Sequence, residues 1–236
     1  MSEQETVADH CWATGDMPVR NVPRLAFLVD GRMTMLEMCL AFLRARYSIY
    51  ITAWGLSPEL LLVRGKNKCA GSPDSPEQEA LLQWLRAKGL SEEELLFWQQ
   101  CDELSVTNVL NYAVNKGVDV RVLLWDTYTL PSPPTPNPKN VQDILESLGV
   151  RCLLDDSHKG LLNHPLLAHH QKTAVVDSRL AFVGGIDVMV ENDCDFDLGI
   201  RKATPIIPSC VKAKMVRYHT VGMTFMYCLG VQLWQM

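Results

Sequence analysis

The stretch His169-His170-Gln171-Lys172-Thr173-Ala174-Val175-Val176-Asp177 sets an imidazole, an ammonium and a carboxylate in the pattern H-x-K-x-x-x-x-D. On a strand side chains alternate, so His170 and Lys172 project together and can meet one phosphate. Asp177 lies an odd number of residues from His170. It falls on the opposite face, at a turn, where it is expected to hold that turn or pair with a buried base. A phosphodiester is anionic, and a neutral imidazole attacks it without charge repulsion. Lys172 would neutralise charge on the non-bridging oxygens as the bond breaks. The leaving alcohol needs a proton. His170 cannot attack and donate at once, so this chemistry requires a second acid.

The elements that must position these groups read as alternating strands and helices. Arg24 to Asp30 suits a buried strand ending in a turn at Asp30-Gly31, and Met33 to Arg46 has leucines at helical spacing. Ser48 to Trp54 is aromatic and β-branched, as a strand requires. Together they form the βαβ pattern of a covered sheet. Lys66 to Pro76 reads as a loop. Glu77–Ala87, Glu92–Gln100 and Val106–Asn115 read as helices, and Val118–Trp125 as a strand. Tyr128 to Pro138 holds five prolines and is a connector. Val141–Leu148 is a helix stopped by Gly149, followed by a strand over Val150–Leu154. The runs His169–Val176 and Leu180–Val183, joined by Asp177-Ser178-Arg179, predict a β-hairpin. Trp54 and Asp126 end predicted strands. Strand ends commonly border sites in open α/β sheets, so both are candidate substrate-binding residues.

The chain has 236 residues, 47% of them apolar, and a formal net charge of −5. That balance gives no broad attraction to nucleic acid or anionic membrane, although one pocket can still be basic. Eight cysteines are scattered without a C-x-x-C pair, which reads as reduced thiols. Met1 to Glu5 shows no secretory signal, and the expected location is cytoplasmic. Tyr218 to Met236 lacks Asp, Glu, Lys and Arg. Its largely apolar run, Thr220 to Trp234, is shorter than the roughly 20 residues of a membrane span and is expected to be packed or interfacial.

His169 through Asp177, followed by Ala181-Phe182-Val183-Gly184-Gly185-Ile186-Asp187-Val188, resembles the first signature of phospholipase D enzymes. The upstream strand order fits as well. The resemblance implies an α/β half-domain, a mixed β-sheet flanked by helices on both faces. It implies His170 as nucleophile or acid, Lys172 as phosphate ligand and Asp177 as an orienting group. His169, Gly184, Gly185 and Asp187 would line the site. It implies a phospholipid substrate, a phosphohistidine intermediate, no metal and no cofactor. The expected division is a flexible tail over 1–20, the phospholipase D-like domain over 21–190 and a divergent segment over 191–236.

The family carries two such motifs in one chain or one per subunit of a dimer. Here the only later histidine is His219, followed by Thr220 and Val221. The resemblance implies a second motif from a partner, with a homodimer as one source, and an N-terminal half, a truncated gene product and a self-dimerising form are the readings left open. His158, His164, His169 and His170 lie close together but lack compact zinc-ligand spacing. Leu161, Leu162, Leu166 and Leu167 read as core or cover, with acyl-chain contact at a peripheral membrane surface as the alternative. Two other functions stay open. One is a nuclease of the same superfamily, against which the acidic balance counts. The other is an inactive remnant that binds lipid or a partner.

Overall fold

The computed structural model describes residues 25–28, 30–126, 137–157, 170–189 and 231–233. Strand β1 (Leu25–Ala26) leads into helix α1 (Asp30–Leu43) and then β2 (Ser48–Ala53). Three helices follow: α2 (Pro76–Ala87), α3 (Glu92–Gln100) and α4 (Val106–Asn115). Next come β3 (Asp119–Trp125), α5 (Pro138–Ser147) and β4 (Arg151–Asp155). The hairpin β5 (Thr173–Val176) and β6 (Leu180–Val183) and a short β7 (Val231–Leu233) complete the described elements.

Local chemistry sets the helix starts. Ser75, Ser91 and Ser105 cap α2, α3 and α4 by accepting a backbone N–H, and Asn137 caps α5 ahead of Pro138. Ser91 and Glu94 form a reciprocal capping box. The other Glu94 oxygen takes Lys116 at 2.8 Å, tying α3 to the end of α4. Helix α1 begins at Asp30, earlier than the leucine spacing suggested, so Asp30-Gly31 forms its first turn rather than a loop.

The strands form one mixed sheet in the order β1-β7-β6-β5-β2-β3-β4. β2, β3 and β4 pair in parallel, while β5 joins β2 antiparallel and β6 follows it around the hairpin. Ile49, Ile51, Ala53, Val120, Val122, Leu124, Cys152, Ala174, Val176 and Phe182 are buried on one face, with α1, α4 and α5 over them. The α/β class is as the sequence implied. On the opposite face Tyr50, Leu153 and Val183 stand 39%, 68% and 50% exposed. The chain steps across the sheet in one direction from β1 to β2, β3 and β4, and right-handed crossovers taken in one direction put α1, α4 and α5 on the same side.

The 1–20 tail, the Pro-rich connector at 127–136 and most of 191–236 lie outside the described residues. Val231–Leu233, from that last segment, pairs with both β6 and β1.

Candidate active site

Everything at the site gathers at one end of the sheet, where the parallel strands finish and β5 begins. Trp54 follows β2 directly, and Trp125 is the last residue of β3. Their rings stack at 5.6 Å with 13° between planes. His170 is exposed, and its ring tilts 60° against Trp54 at 5.7 Å. Lys172 approaches the same indole, its Nζ 5.9 Å from the ring centroid. The histidine and the lysine of the motif therefore converge on Trp54.

The expected strand over His169–Val176 forms only from Thr173. Pairing runs out upstream, because β2 ends at Ala53 and β6 ends at Val183. A single further bond, from the Gly184 N–H to the Lys172 carbonyl at 3.2 Å, continues the hairpin. Lys172 turns inward among Met38 of α1, Ile51, Ala174 and Phe182. Its side chain is only 5% exposed, and Nζ meets Asp187 Oδ2 at 2.9 Å. The Trp54 N–H donates to Asp187 Oδ1 at 3.2 Å. The segment carrying Asp187 is pinned by a bridge between Leu56 and Val188, with the Ser57 N–H on the Val188 carbonyl at 2.8 Å.

Asp177 sits at the far end of β5. It and Ser178 have φ of 52° and 53°, the left-handed pair of a tight turn closed by the Arg179 N–H on the Val176 carbonyl. Its carboxylate accepts from the backbone N–H groups of Arg46 at 3.0 Å, Tyr47 at 2.8 Å and Ser48 at 2.9 Å. It thus holds the turn and the entry to β2 and binds amides, not a side-chain base.

Gly184, Gly185 and Asp187 follow β6 at the site end of the sheet. Asp126 follows Trp125, its N–H on the Asp155 carbonyl at 3.0 Å. His169, His158, His164 and the leucines at 161, 162, 166 and 167 lie outside the described residues. Trp125 was not among the candidates from the sequence. Its place at the end of a strand in register with β2 is the signal that could have found it.

Among the described residues, no group of three or more His, Cys, Asp or Glu side chains comes together as a metal site. Cys39 and Cys152 are buried free thiols. Burial holds both above the ordinary thiol range, Cys152 at about 12, which suits core packing and not nucleophilic attack. No helix among the described residues is long and apolar enough to cross a membrane.

The arrangement defines a class: an α/β sheet presenting an imidazole and a buried, carboxylate-paired ammonium beside an aromatic wall, suited to binding an oxyanion. Curated relatives make the class specific. The chain is 25% identical over 177 residues to phospholipase D B of Dictyostelium discoideum, covering 72% of this chain and 11% of that protein. It is 28% identical over 183 residues to phospholipase D1 of Saccharomyces cerevisiae, covering 72% of this chain and 8% of that protein. These matches support a relationship to the phospholipase D superfamily. The chain spans only about a tenth of the length of the curated relatives it matches. No family model matches it. Looser structural likenesses include Nuc of Salmonella typhimurium, a phospholipase D family member. That match has a TM-score of 0.36 at 14% identity and covers 70% of this chain and 74% of Nuc. NucT from Helicobacter pylori gives a TM-score of 0.40 at 12% identity, covering 70% and 76%.

Proposed function

We propose that the chain carries one half of a phospholipase D-type site that cleaves the head group from phospholipids. In this reading the His170 imidazole attacks phosphorus and the head-group alcohol leaves. A second acid, from another copy of the motif, supplies the proton that the alcohol takes. Water then breaks the phosphohistidine and releases the phosphatidic product. Lys172 holds the non-bridging oxygens throughout, and Asp177 keeps β5 in register with β2. Trp54, with Trp125 behind it, walls the site. The carrying observation is the meeting of His170 and Lys172 on Trp54, with the lysine paired to Asp187.

A second motif completes the site, a second copy of this chain being one source, and the substrate is met at the membrane surface. The test is choline release from phosphatidylcholine vesicles by the full chain and by His170→Ala. Release by the wild type and none by the variant is expected. Equal release by both would falsify the reading. Nicking of plasmid DNA without choline release would move the chain to the nuclease branch.

A further inference from the structure

Among the ion pairs of the described residues, Lys172 has the most deeply buried side chain, at 5% exposed. A buried ammonium without a counter-charge sheds its proton, and a neutral amine is a poor ligand for phosphate. The groups around Lys172 come from four directions. The Trp54 ring follows β2, the His170 carbonyl lies upstream, Thr34 of α1 lines the same cavity, and Asp187 follows β6. Of these, Asp187 alone brings a negative charge.

An ammonium has three N–H donors. One goes to Asp187 Oδ2 at 2.9 Å and a second makes a long bond, 3.4 Å, to the His170 carbonyl. Two fixed acceptors set the rotation of the head group and leave the third donor for a ligand. The other oxygen of Asp187 takes the Trp54 N–H, so the same carboxylate fixes the end of β2 whose indole backs His170.

We propose that Asp187 is the positioning residue of this half-site: its carboxylate is the counter-charge that holds the Lys172 ammonium in a buried place, and its geometry aims the remaining N–H at a phosphate oxygen. The proposal rests on the phosphodiester reading only for the identity of the anion. Asp187→Asn separates the two roles, because the amide oxygen can still accept from Trp54 while the charge is gone.

The test uses the full chain with ¹³C-labelled lysine, with the Lys172 ε-methylene signal followed by NMR and inorganic phosphate as the probe ligand. In Asp187→Asn, the Lys172 signal is expected to leave its wild-type position and phosphate affinity to fall about tenfold. A wild-type Lys172 signal together with wild-type phosphate affinity overturns the proposal. Should Asp187→Asn fail to fold, Asp187→Glu serves. It keeps the charge but displaces it by one methylene, so it should bind phosphate several-fold more weakly. Wild-type affinity in Asp187→Glu contradicts the positioning role. If the wild type itself binds no phosphate, the phosphodiester reading fails, and the Lys172 signal still judges Asp187.

Discussion

The two ends of β5 each depend on an aspartate, and the two aspartates do different work. At the turn, Asp177 gathers three backbone amides at the entry to β2. At the site, Asp187 holds one buried ammonium and one amide. The first residue belongs to the sequence motif and stands apart from the lysine that the motif contains. The second lies outside the motif and touches that lysine. A motif can thus record what keeps a strand in place as well as what acts on a ligand.

The largest expected effect comes from the buried pair. Lys172→Ala should abolish phosphate binding and lower stability by about 3–5 kcal/mol, because Asp187 is left buried without its partner. Urea unfolding and isothermal titration with phosphate measure both. A stability loss below about 1 kcal/mol would erase the contrast between the two ends.

Asp177→Ala comes next, with a loss of about 3 kcal/mol as three amides lose a charged acceptor at a left-handed position. Phosphate affinity of the folded protein should not change. Asp177→Asn keeps an acceptor and tolerates the backbone, so it should lose about half as much. A fall in phosphate affinity in either variant would place Asp177 in the site after all.

Trp125→Leu removes the ring behind Trp54 and should cost about 1 kcal/mol, with a weaker phosphate response at His170 seen in its NMR shifts. An unchanged His170 signal would show that the stack plays no part in holding it.

The smallest effect is on the open face of the sheet. The Arg121 hydrogen bond, and then Arg151, hold the Asp119 carboxyl below the usual carboxylate range. A lowered folded value means its contribution is complete above the unfolded value and is lost as pH falls through the folded one. Asp119→Asn should therefore lower stability slightly at neutral pH and flatten the profile below about pH 4, where the difference from the wild type closes. Denaturation at a series of acidic pH values checks this.

Much of this was legible because local signals agreed. The helices read over Glu77–Ala87, Glu92–Gln100 and Val106–Asn115 became α2 to α4, and the strand runs read over Ser48–Trp54 and Val118–Trp125 became β2 and β3. Alternation separated Asp177 from His170 and Lys172. What the sequence could not carry is the order of strands in the sheet. That order puts α1, α4 and α5 on one face, and it brings Trp125 against Trp54. The lysine-aspartate pair was hidden for the same reason. It joins residues fifteen positions apart across a hairpin, and only the register of β5 with β6 brings them together.

The central claim is that His170 and Lys172 form one oxyanion-binding half-site. Crystals soaked in tungstate, a heavy phosphate analogue, test it most directly. The account predicts anomalous density within hydrogen-bond reach of both Lys172 Nζ and the His170 ring, lost in Lys172→Ala. Density that survives in that variant, or that sits elsewhere in the wild type, would contradict it.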